Sequence, residues 1–203
     1  MDTYDIIIIG GGVGGLACGI TLASAHAKPW FQDRRVLVID DGSSDLEKAK
    51  LFNVPGVAPG TTGTQALHTM RMQFQQYPPA TLHVGCVCSA QRDGDHWTVR
   101  TSDDYAFAAD VLVLATGYKR WELSGLPCEP QPHPRGGKST RICLSHDGVY
   151  NVDSDLYVAG LLGGGSSQFA IAAGIGTQVA VELLSQWAGK RTHVHDVPEP
   201  TAS

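Results

Sequence analysis

The sequence contains no Cys-x-x-Cys pair, no run of lysines and arginines, and no apolar stretch near the roughly 20 residues of a membrane-spanning helix. Each absence removes a class of function. Without paired cysteines there is neither a zinc ribbon nor a dithiol-exchange motif. The five cysteines, Cys18, Cys86, Cys88, Cys128 and Cys143, are too few and scattered for a secreted disulfide scaffold, so free thiols are expected. With a net charge of −5 and no basic cluster, attraction to nucleic acid or an anionic membrane is weak, and a small molecule or another protein is the expected partner. The chain enters Tyr4-Asp5-Ile6-Ile7-Ile8-Ile9 without a basic leader or cleavage site, which reads as cytoplasmic and unprocessed.

What is present is glycine, 24 residues of it, placed where elements change. A chain of 203 residues is about one domain long and can bury a core of its own. Residues 5–9 form a β-branched run that ends in glycines, as a central parallel strand buried on both faces does. Residues 14–27 read as a helix and 35–40 as a second strand, which makes a βαβ unit. Residues 44–64 read as loop and 64–76 as a helix stopped before Pro78-Pro79. The segments 81–90, 96–102 and 106–114 read as the strands of a meander. Four prolines and Gly136-Gly137 mark 126–138 as a linker or surface loop. Residues 155–159 read as a short strand and 160–165 as a glycine-rich turn; a helix capped by Ser166 or Ser167 then runs from Gln168 to about Trp187. The stretch after Arg191 reads as a disordered tail.

Within Gly10-Gly11-Gly12-Val13-Gly14-Gly15 lies a GxGxxG pattern between a buried strand and a helix. Gly10 permits the turn, Gly12 lets backbone approach a pyrophosphate, and Gly15 allows close packing. The amides and dipole of the helix then face the anion. Asp40, at the end of the second strand, is the acid that accepts from an adenosine ribose hydroxyl. Its distance from Gly15 exceeds the usual spacing of about 20 residues because of the insertion at 29–34. NAD and FAD share this fingerprint, and a scaffold without ligand has it too.

The choice between them comes from four further segments. Residues 52–67, with Asn53, Pro55, Gly56 and Gly60, resemble the ENxPGxxxGxxGxxL segment of the thioredoxin reductase family of flavoproteins. Ala115-Thr116-Gly117 resembles its ATG motif, residues 148–160 its GVFAAGD region, and Gln168-Phe169-Ala170 through Gly176 its closing flavin helix. The resemblance implies FAD as the cofactor. It puts Asn53 at the isoalloxazine ring and Gln168 with the first turn of its helix at the N1 and O2 edge, where charge gathers on reduction. The implied cofactor set is Gly10, Gly12, Val13, Gly14, Gly15, Asp40, Asn53, Val87, Ala115, Thr116, Gly117, Gly160, Leu161, Gln168, Phe169 and Ala170. The implied fold is α/β, a single FAD-binding Rossmann-like domain over residues 1–190 with a parallel central sheet and a small antiparallel meander. A homodimer is also implied.

The departures from the family shape the functional expectation. Residues 126–141 stand where the family inserts an NADPH-binding domain with a CxxC pair. Leu161 stands where its AGD motif has an aspartate that hydrogen-bonds FAD, so cofactor contacts must be rebuilt from backbone amides or from Ser166 and Ser167. Cys86 and Cys88 sit at i and i+2, too far apart for good disulfide geometry, and are expected to be packing thiols. Cys18 is expected in the core, and Cys128 and Cys143 flank the shortened segment, within possible reach of a flavin. His193 and His195 have no third metal ligand in view. Gly174 and Gly176 could equally serve helix packing.

The leading expectation is an oxidoreductase fed by an external donor, either a ferredoxin-like or flavodoxin-like protein, a separate reductase, or directly bound NAD(P)H. The alternative is a non-catalytic FAD-binding module, since no acid, base or nucleophile stands out. A short-chain dehydrogenase ranks last, because its YxxxK pair has no match at Tyr118, Tyr150 or Tyr157.

Overall fold

A computed structural model describes residues 1–195. The strands are β1 (Asp2–Ile9), β2 (Val36–Asp40), β3 (Lys50–Leu51), β4 (Thr61–Thr62), β5 (Ala80–Val84), β6 (Val87–Asp93), β7 (His96–Thr101), β8 (Ala106–Leu114), β9 (Gln131–Pro132), β10 (Ile142–Cys143), β11 (Asn151–Asp153) and β12 (Leu156–Val158). The helices are α1 (Val13–Ser24), α2 (Gly63–Gln75) and α3 (Phe169–Trp187), with short 3₁₀ turns at Ala25–Ala27, Asp45–Lys48 and Gly160–Gly163.

The main sheet runs β11-β12-β8-β1-β2-β5, parallel from β12 to β5. Alternation in β1 decides which layer each side chain joins. Ile6 and Ile8 face α1, α2 and α3 together with Val36, Val38, Val111 and Val113. Ile7 and Ile9 face the opposite side with Leu37, Ile39, Leu112 and Leu114, against Trp97 and Val99 of the meander and Leu144 and Leu162. The result is helices, sheet and meander in three layers, the α/β class expected from the sequence.

β8 carries two partners on one edge. Its first half pairs antiparallel with β7 (Trp97↔Ala109 to Arg100↔Ala106) and its second half parallel with β12 (Leu156↔Leu112 to Val158↔Leu114). The strand expected at 81–90 is two strands. β5 joins the parallel sheet beside β2, the chain breaks at Gly85, whose N–H donates to Asp40 O (3.0 Å), and β6 then begins the meander. The 44–64 region, expected as loop, contains the 3₁₀ turn and the β3–β4 pair.

α2 starts in a capping box: Thr62 Oγ1 accepts from Gln65 N (3.2 Å) while Gln65 Oε1 accepts from Thr62 N (2.9 Å). α3 is long and apolar enough to cross a membrane by length and composition, a point the sequence reading missed. Here it packs on α1, where a Cβ at Gly176 would overlap the carbonyl oxygen of Gly14. Its own Val179, Ala180, Leu183 and Leu184 are fully buried. Gly176 is thus a packing glycine, whereas a Cβ at Gly174 meets nothing. The disordered tail expected from 191 is corrected for its first residues: Thr192 N donates to Ser185 Oγ (3.1 Å), and Val194 packs on the helical layer. The rest of that expectation lies outside the described residues.

Candidate functional site

A cleft of about 700 Å³ opens at the C-terminal ends of β1, β2 and β8, where ligands of open parallel sheets bind. Backbone bonds fix those ends: Gly10 N donates to Ile39 O, Ala115 N to Ile9 O and Ala159 N to Leu114 O, each at 2.8 Å. Gly10 has φ +112°, and a Cβ there would overlap the carbonyl oxygen of Ala115, so only glycine makes this turn. A Cβ at Gly15 would overlap Gly10 O, so this glycine packs the helix on the strand. At Gly12 the same test meets only Ser44 Oγ at 3.5 Å, so a side chain there would project into the cleft. Gly12 is also the N-cap of α1, whose first turn has no side-chain cap and no acid, leaving its first amides available.

Asp40 is 6% exposed and tightly held. Its Oδ2 accepts from Arg71 Nη2 (2.8 Å) and Nε (3.2 Å), and its Oδ1 accepts from Gly42 N (3.1 Å). Oδ1 therefore keeps capacity for one more donor. Arg71, 31 residues away on α2, carries no sequence signal that links it to Asp40.

The other end of the cleft is assembled from distant segments. Asn53 Nδ2 donates to Gln168 Oε1 (3.0 Å), joining residues 115 apart. Tyr118 donates to Ser167 Oγ (3.2 Å), and the Arg141 guanidinium lies 4.8 Å over the Tyr118 ring. Lys119 pairs with Asp45. Arg120, Trp121 and Glu122 also line this wall, and none of 118–122 or Arg141 was expected at the cofactor from the sequence.

Of the residues singled out, Gly10, Gly12, Val13, Gly14, Asp40, Asn53, Val87, Ala115, Thr116, Gly117, Gly160, Leu161, Gln168 and Phe169 line the cleft; Gly15 and Ala170 do not. Ser167 lines it, but neither serine caps α3: Gln168 is the N-cap and makes no side-chain cap bond. The packing role given to Cys86 and Cys88 is corrected, since both are exposed, Cys88 at the bulge in β6 and Cys86 just before that strand, and Cys86 lines the cleft. Partial desolvation, followed by the carboxylates of Asp41 and Glu122, pushes the Cys86 thiol up. Cys18 is buried as expected, and burial pushes its thiol far up. Cys128 and Cys143 do not line the cleft; burial, with Glu129 and Asp153, pushes Cys128 up to about 11. Among the described residues there is no cluster of three metal-ligating side chains, and the stacked His193 and His195 stand apart.

No family model matches the chain. It is 30% identical over 170 residues to a thioredoxin reductase of Yarrowia lipolytica, an alignment covering 82% of this chain and 52% of that protein. The chain spans about half the length of the curated relatives it matches. Among solved structures it shares the fold of a thioredoxin reductase from Gloeobacter violaceus (TM-score 0.76, 13% identity, 98% of this chain and 100% of that one). It also shares that of a ferredoxin-flavin thioredoxin reductase from Clostridium acetobutylicum (TM-score 0.67, 15% identity, 94% and 100%).

Proposed function

Starting from a chain that is thioredoxin reductase-like in sequence and in fold, we propose that it binds FAD and acts as an oxidoreductase supplied with electrons from outside its own 203 residues. The observation that carries this reading is the cleft at Gly12: close-packed glycines on either side, one open glycine facing space, and a buried Asp40 beside it.

The residues fit the group. The amides of Gly12, Val13 and Gly14 suit a pyrophosphate, the spare lone pair of Asp40 Oδ1 suits a ribose hydroxyl, and Ala115–Gly117 forms the floor. Asn53 and Gln168 suit the polar edge of a flavin ring. FAD, when bound, supplies the capacity to accept a hydride or single electrons. The protein orients it and offsets charge at its edge with the first amides of α3.

The donor is external in this reading because the sequence has no second GxGxxG and no CxxC, with residues 126–141 in place of an NADPH domain. A redox protein is the donor we favour; one of the fold's solved examples is a ferredoxin-flavin enzyme. A purely structural flavin is the second reading, and it is favoured by Cys128 and Cys143 lying away from the cleft.

The test is the absorbance spectrum of the purified protein, chromatographic identification of the released cofactor, and anaerobic reduction with NADPH, NADH and reduced ferredoxin. A yellow protein that releases FAD and is bleached by the protein donor supports the proposal. Bleaching by a nicotinamide alone changes the donor, and no bleaching by any of them favours the structural flavin. A colourless protein that takes up no FAD ends both readings.

A further inference from the structure

The turn at residues 160–164 contributes Gly160 and Leu161 to the cleft, and all four carbonyl oxygens of residues 161–164 are bonded. Leu161 O accepts from Gly164 N and from His133 Nε2, both at 3.0 Å, and Leu162 O from Leu144 N at 2.9 Å. Gly163 O accepts from His146 Nε2 at 3.3 Å and Gly164 O from Arg135 Nη1 at 2.9 Å. Two of these donors are imidazoles from separate segments, and both are used the same way. His133 Nδ1 receives the Arg135 N–H at 3.0 Å, and His146 Nδ1 receives the Gly148 N–H at 3.1 Å.

A backbone N–H can only donate, so each Nδ1 must present a lone pair. Each ring is then neutral, with its single proton on Nε2, where it donates to the turn. A second proton can enter only at Nδ1. There it would face an N–H, breaking the local turn that aims each ring.

Around His133 the charged groups reinforce this, and beside His146 stands a single carboxylate. His133 is buried and meets the Tyr118 ring edge-on at 5.5 Å. The nearby charges are the Arg135 guanidinium on Gly164 O and the Arg141 guanidinium over Tyr118, both positive. His146 lies against the Tyr150 ring at 4.7 Å, and the neighbouring Asp147 spends its Oδ1 on Val149 N (3.0 Å) and Asn151 N (3.1 Å). Among the described residues neither imidazole is bonded to a carboxylate.

We propose that His133 and His146 are positioning residues that hold the 160–164 turn as neutral imidazoles, and that protonating them loosens the turn and releases the cofactor on acidification. The release rests on the FAD reading above, whereas the clamp itself does not. The hold is complete when both rings are neutral and is lost as pH falls.

The experiment is amide hydrogen exchange of peptides spanning 160–164 between about pH 8 and about pH 5, corrected for intrinsic rates, with flavin release followed by fluorescence over the same range. We expect corrected exchange to rise about tenfold on acidification as the clamp bonds are lost, with flavin released in step. In the double variant His133→Gln, His146→Gln, which keeps a neutral donor at each position, both pH dependences should flatten. A flat profile in the unmodified protein, or the same rise in the glutamine variant, overturns the clamp. A rise in exchange with flavin retained throughout overturns the release. Failure to bind FAD at any pH defeats the proposed function, and the exchange profile still decides the clamp.

Discussion

The two ends of the cleft are built by different means. At the glycine end, six consecutive residues and a strand terminus are locked by close packing: a Cβ at Gly10, Gly14 or Gly15 would overlap backbone, one at Gly11 the Asp40 side chain, and at Gly12 alone it would overlap nothing. At the other end, Asn53, Tyr118, Lys119, Arg141, Ser167 and Gln168 arrive from four separate segments and are joined by side-chain contacts. A site made of backbone tolerates no side chain at its packed glycines but depends little on pH. A site made of side chains tolerates substitution and responds to protons and ligands.

Mutations can break or sharpen this contrast. The largest effect is expected at Gly15→Ala, where the new Cβ meets the carbonyl oxygen of Gly10 in the turn that leaves β1; a loss of about 3 kcal/mol in urea unfolding is expected, with or without flavin. Next is Gly12→Val, which should lower flavin occupancy at least about tenfold while moving the stability of the flavin-free protein by no more than about 1 kcal/mol. If Gly12→Val instead unfolds the protein, the distinction between packing and facing glycines is wrong. Arg71→Leu strips a buried carboxylate of its partner. Because Arg71 is itself 23% exposed, a loss of about 1 to 2 kcal/mol is expected in the same unfolding assay.

At the side-chain end, Asn53→Ala should retain flavin, cost less than about 1 kcal/mol, and shift the visible spectrum or reduction potential. The smallest perturbation is chemical labelling. Cys86 and Cys88 should react first with a maleimide, Cys128 should need alkaline pH because its thiol is pushed up to about 11, and Cys18 should react only after unfolding. Bound flavin should slow Cys86 and leave Cys88 unchanged, since only Cys86 lines the cleft.

The same contrast explains what could be read from the sequence. The β1–α1–β2 unit and its glycines were legible because the whole constraint lies in one contiguous stretch with period and punctuation. The Asp40–Arg71 pair was not, because nothing in a sequence marks which of several arginines crosses 31 residues to a given acid. β5 and β6 were merged because Gly85-Cys86 is a small interruption between two β-prone runs, and only the pairing of β5 with β2 separates them. The 126–141 segment was legible as irregular, but not as a donor of His133 and Arg135 to the turn at 160–164. The exposed Cys86 was misplaced because its sequence neighbourhood looks like any half-buried strand.

β9 and β10 pair Pro132 with Ile142 and Gln131 with Cys143, so the chain leaves this spot and returns to it within one short hairpin. A segment whose two ends already meet is a socket: extra chain spliced between them adds only a slowly growing loop-closure cost and disturbs no register in the main sheet. Swapping the tip of this hairpin for a folded module, with β9, β10, His133 and Arg135 left in place, is therefore the least disruptive way to give the chain a second ligand site beside the first.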